Sequence, residues 1–204
     1  MNPLTSVKGT IVSSFVLALI VAFYFSTDSS SLFDEVGQRN LAIWLHALSG
    51  VTWVGLLYYF NFVQTPAMAE ALSDEGGPGP AAIGKYIAPK ALLWFRMAAA
   101  ATWLTGAWAL EMKYGFIDAF LFKTIYGASG DMIGLGAWLG TIMLFNVWVL
   151  IWPNQKKILG MVEASTEEIA KAKFTAAMAS RTNVVLSVPM LLCMIGAGHG
   201  GYLF

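Results

Sequence analysis

The sequence predicts an all-α integral membrane protein with about five transmembrane helices. Hydrophobic residues make up 57% of the 204-residue chain, and charged residues only 12%, about half the roughly 25% of soluble domains. Five stretches are predominantly apolar over about 20 residues, the length that a helix needs to cross a bilayer. The alternating runs of about ten residues that mark β-barrel strands are absent.

Polar segments separate the five apolar stretches. We place the spans at residues 9–26, 41–65, 91–111, 132–153 and 183–204. The first has Lys8 before its apolar core, as a signal peptide would, but no small-x-small cleavage site follows, so a retained span is predicted. The last four spans are predicted to form a four-helix bundle within a single membrane domain, residues 1–204.

The loops add two local signals. Residues 73–80 (SDEGGPGP) read as a turn-rich break. Ser165 and Glu168 have capping-box spacing, which predicts a cytoplasmic helix over about residues 166–182.

The zero net charge conceals an asymmetric distribution of cations. Alternate sides of the predicted membrane hold nine and three Lys or Arg residues. Because cytoplasmic loops carry the excess, we predict a cytoplasmic N-terminus and an external C-terminus. The chain lacks the basic surface that a nucleic-acid partner needs. The single cysteine, Cys193, excludes a disulfide framework and a CxxCH haem attachment.

The only two histidines, His46 and His199, fall in the second and fifth predicted spans. Each lies about five residues from the external end, so the two imidazoles are expected at similar depth. Two neutral imidazoles on facing helices can hold a haem iron, and Gly50, one turn from His46, would let a flat macrocycle approach. The alternative is that each histidine hydrogen-bonds within the bundle or faces interfacial water. We predict haem b, with His46 and His199 as the iron ligands and Gly50 beside it.

Polar residues also lie in the cytoplasmic, or inner, halves of the predicted spans, at the opposite end from the two histidines. One face of the second span carries a stripe of residues at helical spacing that should face the bundle interior, namely His46, Gly50, Trp53, Leu57, Asn61 and Gln64. Arg96, Asn146, Arg181 and Asn183 lie in the inner halves of the other spans. This cluster is either a pocket for a planar anion or second cofactor, or a set of helix-linking amides with Arg96 reaching the cytoplasmic phosphates.

Three runs resemble the membrane domain of the bacterial membrane-bound urate oxidase family: residues 45–66 (LHALSGVTWVGLLYYFNFVQTP), 140–157 (GTIMLFNVWVLIWPNQKK) and 179–194 (ASRTNVVLSVPMLLCM). The resemblance implies a multi-pass protein of the bacterial inner membrane with a role in purine breakdown, and with electrons passing to a cytochrome c. Family members are longer, and many end in a fused cytochrome c domain, so the acceptor here would be a separate protein. The resemblance gives these candidate site residues: His46, Asn61, Arg96, Asn146, Trp152, Arg181, Asn183 and His199.

Two functions therefore stay open at the level of sequence. One is a haem b redox protein of the membrane, with the substrate-binding residues Asn61, Arg96, Asn146, Trp152, Arg181 and Asn183. The other is a non-catalytic accessory subunit of a larger membrane redox complex. Gly136-x3-Gly140 and Gly196-x3-Gly200 would suit close helix contacts in either case. A transporter is less well supported, since no Asp or Glu lies mid-span.

Overall fold

The computed structural model describes residues 2–25 and 34–201, and within them every regular element is helical. The longer helices and the short helices between them are α1 (Val7–Phe25), α2 (Glu35–Tyr58), α3 (Thr65–Ser73), α4 (Ala88–Tyr114), α5 (Phe116–Phe120), α6 (Gly127–Phe145), α7 (Trp152–Ile158) and α8 (Thr166–Gly198).

The chain divides into two compact units, Met1–Leu41 and Ala42–Phe204. In the first unit, a 3-10 turn at Pro3–Thr5 precedes α1. The side chain of Asn2 caps this turn by accepting a hydrogen bond from the Leu4 N–H at 2.9 Å. The second unit holds all the residues of the candidate site.

Four helices of the described residues are long and apolar enough to cross a membrane: Val7–Phe25, Glu35–Ser73, Gly127–Ile158 and Thr166–Gly198. The third predicted span, residues 91–111, lies within α4 as expected, but α4 is not one of the four. The helix α4 is long enough to cross a membrane, but Arg96 and the Thr and Trp residues of α4 make it less apolar than the other four helices. Two ends of the predicted spans, residue 26 and residues 202–204, lie outside the described residues.

The core of the second unit draws on all four predicted bundle spans. Trp53 and Leu57 of α2 are at most 2% exposed, and they pack with buried side chains from α4, from the end of α6 and from α8. These partners are Phe95, Ala98, Ala99, Met143, Val147, Ile151, Ala179 and Met190. The apolar stripe of the second span therefore faces the interior, as its helical spacing predicts.

Three π-helical segments interrupt the helices, at Tyr59–Gln64, Ile83–Ile87 and Asn146–Ile151. Each is followed by an α-helical segment whose second residue is proline, namely Pro66, Pro89 and Pro153. In an α-helix the proline ring collides with the carbonyl four residues earlier. The wider π turn moves that carbonyl away, and an i→i−5 bond such as Thr65 N–H to Phe60 O replaces the α-helical pattern.

The predicted cytoplasmic helix and the fifth span form one continuous helix, α8. Ser165 caps it by accepting a hydrogen bond from the Glu168 N–H at 3.2 Å, while the Glu168 carboxylate accepts one from the Ser165 N–H at 2.9 Å. This confirms the capping box. The Ser165 N–H, and secondarily Lys157, lower the pKa of the exposed Glu168 carboxyl.

The first predicted glycine motif makes a close helix contact at one of its two glycines. A Cβ at Gly136 would lie 3.1 Å from Met194 Cε and 3.2 Å from Cys193 Cβ on α8, whereas a Cβ at Gly140 would meet no atom within 4 Å. The prediction for Gly196-x3-Gly200 was wrong, because α8 ends at Gly198 and Gly200 has a φ of +83°.

Replacing Gly136 with valine is expected to lower the free energy of unfolding by at least about 1 kcal/mol, since the added atoms overpack the contact between α6 and α8. Gly140→Val is the matched control. It makes the same change in helix propensity in the same helix, but the space around its Cβ is open. Unfolding in mixed micelles by a denaturing detergent measures both. Equal losses in the two variants would contradict the assignment of Gly136 to the helix contact.

Candidate functional site

His46 lies on α2 and faces α4. Its Nδ1 lies 2.8 Å from the carbonyl oxygen of Thr102. Because a carbonyl only accepts, Nδ1–H donates, and the neutral ring keeps its lone pair on Nε2. The ring also lies against the α4 backbone, where a Cβ at Gly106 would approach His46 Cε1 and Nδ1 to 2.8 Å.

Gly50 lies one turn below His46 and also faces α4. A Cβ at this position would lie 3.7 Å from Thr102 Cγ2, an ordinary van der Waals distance. Each of the two helices therefore places a glycine against a side chain of the other, and the contact of Gly106 with the His46 ring is the tighter of the two.

His199 is the residue that follows the last residue of α8, and it is exposed. Its Nδ1 donates to the carbonyl oxygen of Ile195 at 2.8 Å. This ring, like that of His46, therefore presents Nε2 as its free nitrogen. Both histidines have the backbone-oriented imidazole that is typical of metal-ligating histidines.

Hydrogen bonds between α2 and α8 fix the relative depth of the two histidines. The hydroxyl oxygens of Tyr58 on α2 and Ser187 on α8 are 2.9 Å apart. In the π segment that follows α2, Asn61 Nδ2 donates to Ser180 Oγ of α8 at 2.8 Å. The helices are therefore antiparallel. His46 precedes Tyr58 by 12 residues and His199 follows Ser187 by 12 residues, so each lies about 18 Å from this bond toward the same end of the bundle.

The inner polar residues form a ladder of amides and hydroxyls along α8. Asn146 Nδ2 donates to Asn183 Oδ1 at 2.8 Å, and Asn183 Nδ2 donates to the Met143 carbonyl at 3.0 Å. Asn183 is fully buried and Asn146 is 7% exposed. Asn61 also donates to the Leu57 carbonyl of its own helix at 2.8 Å.

Arg96, in the N-terminal part of α4, and Trp152, the first residue of α7, form a separate pair. The Arg96 guanidinium carbon lies 3.8 Å from the centroid of the Trp152 ring, which is close stacking for a cation–π contact. Both side chains are partly buried. Five of the predicted residues thus fall into two groups, the three hydrogen-bonded amides and the cation–π pair.

Arg181 joins neither group, since it is exposed on α8. Sequence analysis missed Ser180 and Ser187, although they flank Asn183 by three and four residues, the spacing of a common helix face. It also missed Thr102 and Gly106, because a backbone carbonyl and a small residue leave no signal of their own.

Two buried polar atoms on the predicted inward face of the second span lack a hydrogen-bond partner. They are Trp53 Nε1 and Gln64 Oε1, on side chains that are 2% and 9% exposed. Among the described residues, no group of three or more His, Cys, Asp or Glu side chains could hold a metal ion.

Comparison with known proteins gives one match. Residues 109–204 match a family model described as "Urate oxidase N-terminal". The match covers slightly less than half of the chain and includes Asn146, Trp152, Arg181, Asn183 and His199. It supports a relation to the urate oxidase family, and no curated protein and no solved structure matches.

Replacing Gly106 with alanine is expected to displace the His46 ring, because the new Cβ would lie 2.8 Å from two of its atoms. Haem bound per protein, measured from the absorption spectrum after purification, should fall several-fold if His46 is a ligand. Gly55→Ala on α2 is the control, since a Cβ there meets nothing within 4 Å. Unchanged haem content in Gly106→Ala would contradict this role of the α4 backbone.

Proposed function

We propose that the protein is an integral-membrane haem b redox protein related to the urate oxidases, which passes electrons to a cytochrome c. The observation that carries the proposal is the register of α2 and α8. His46 and His199 each lie about 18 Å from the Tyr58–Ser187 hydrogen bond, toward the same end of the bundle.

The donor set fits a haem iron. Each histidine commits Nδ1–H to a backbone carbonyl, which orients the ring and leaves Nε2 for the metal. Gly106 leaves the space that the His46 ring occupies against α4, and Gly50 lies against the Thr102 side chain. A haem with two imidazole ligands supplies one-electron transfer.

Urate is the substrate that the family similarity favours. The six inner residues predicted to bind it are Asn61, Arg96, Asn146, Trp152, Arg181 and Asn183. The amides of Asn146 and Asn183 bond to each other, and this favours a helix-linking role for them. Asn61 is 15 residues from His46, about 22 Å along the helix, so either a second cofactor lies at the inner side or urate reacts nearer the histidines.

A difference spectrum tests the proposal. Protein purified after haem-replete expression should show b-type bands in the dithionite-reduced minus oxidised spectrum. Urate should then reduce the haem, and added ferricytochrome c should reoxidise it, whereas xanthine serves as the control purine. Bands that do not respond to urate would remove the substrate assignment. The absence of any haem band would overturn the redox proposal and favour the accessory subunit, whose helix-linking amides are already satisfied.

A further inference from the structure

Two cationic side chains share one tryptophan at the inner ends of α4 and α7. The Arg96 guanidinium carbon lies 3.8 Å from the Trp152 ring centroid, and Lys156 Nζ lies 5.9 Å from it. The two charges are therefore within about 10 Å of each other, about one Debye length at an ionic strength of 0.1 M.

Neither charge is neutralised by the described part of the chain. The one ion pair there joins Lys157 to Glu168 at 3.3 Å, and no carboxylate or hydrogen-bond acceptor partners Arg96 or Lys156. A cation–π contact uses none of the N–H donors of a guanidinium, so the Arg96 donors remain available to an anion. An arginine at membrane depth must find a counter-charge or water, and one anion between the two groups would offset both charges.

The surface beside this pair is apolar and open. Toward the membrane midplane, Val149 and Phe145 lie about one and two turns from Trp152, and Leu104 lies about two turns from Arg96. These side chains are 50%, 54% and 62% exposed. An anion with acyl chains attached would therefore place its charge at the cations and its chains along this surface.

We propose that Arg96 and Lys156 bind the phosphodiester headgroup of an anionic phospholipid from the cytoplasmic leaflet. The predicted topology puts this end of the bundle on the cytoplasmic side, where basic pockets between transmembrane helices bind anionic headgroups. The Arg96–Trp152 stack holds the guanidinium in place, and Lys156 supplies the second charge. This site is independent of the haem proposal, and either can fail without the other.

The test is a lipid titration of the purified full-length protein in detergent, followed by native mass spectrometry. Separate arms add phosphatidylglycerol, phosphatidylcholine or inorganic phosphate. Arg96→Gln and Lys156→Gln are expected to weaken phosphatidylglycerol binding at least about five-fold each, the effect of losing one cation at the membrane surface. Lys173→Gln, which removes an exposed lysine on α8, is the matched control and should bind as the wild type does.

Helix content by circular dichroism shows whether each variant is folded, and Lys156→Gln keeps the test valid if Arg96→Gln does not fold. Three results would overturn the proposal. They are unchanged phosphatidylglycerol affinity in folded Lys156→Gln, equal affinity for phosphatidylcholine, or binding of inorganic phosphate in the absence of phosphatidylglycerol binding.

Discussion

His46→Ala and His199→Ala are each expected to abolish or shift the b-type bands of the reduced minus oxidised spectrum. Each variant removes one of the two Nε2 atoms that the backbone bonds to Thr102 and Ile195 leave free. With a single axial ligand, a haem held without covalent attachment loses affinity and changes spin state. The measurement is the difference spectrum, together with haem content per protein.

Met194→Leu is the matched control for these variants. Met194 lies in α8, five residues before His199, and a thioether can also ligate haem iron, yet the proximity of its side chain to Gly136 marks it as a packing residue. The control should keep wild-type bands. Unaltered bands in both histidine variants would contradict the ligand assignment, and loss of the bands in Met194→Leu would point to a methionine ligand instead.

Asn183→Leu is expected to lower the free energy of unfolding by about 1–2 kcal/mol. Asn183 is fully buried, and its amide accepts from Asn146 and donates to the Met143 carbonyl. Leucine is similar in size but leaves the Asn146 amide without its partner and removes the side-chain hydrogen bond to the Met143 carbonyl. Unfolding by denaturing detergent in mixed micelles measures the loss.

Asn154→Leu is the matched control, because the Asn154 side chain donates only to the Leu150 carbonyl of its own helical stretch. Its loss should be at least about 1 kcal/mol smaller than that of Asn183→Leu. Equal losses in the two variants would show that the hydrogen bonds between helices contribute no more stability than an amide bonded within its own helix.

The sequence predicted the helices well because apolar length and capping residues act locally. The capping box at Ser165 and Glu168 correctly marked the start of α8. The five-span interpretation was less successful at α4, where Arg96 makes the helix less apolar although residues such as Phe95 and Ala99 are buried in the bundle.

The π segments and the partners of the amides could not be predicted in the same way. The prolines at positions 66, 89 and 153 were visible, but whether a helix accommodates a proline by a kink or by a π turn depends on its neighbours. Pro189 shows the difference, since it lies inside α8 without a described π segment. The Asn146–Asn183 bond joins residues 37 positions apart, so only the packed bundle could reveal it.

Electron paramagnetic resonance of the oxidised protein tests most directly whether His46 and His199 ligate one haem. Two strong-field imidazole ligands give low-spin ferric haem, so the wild type should show a low-spin signal that disappears in both His46→Ala and His199→Ala. A high-spin wild-type signal, a low-spin signal that survives in either variant, or no haem signal at all would contradict the claim.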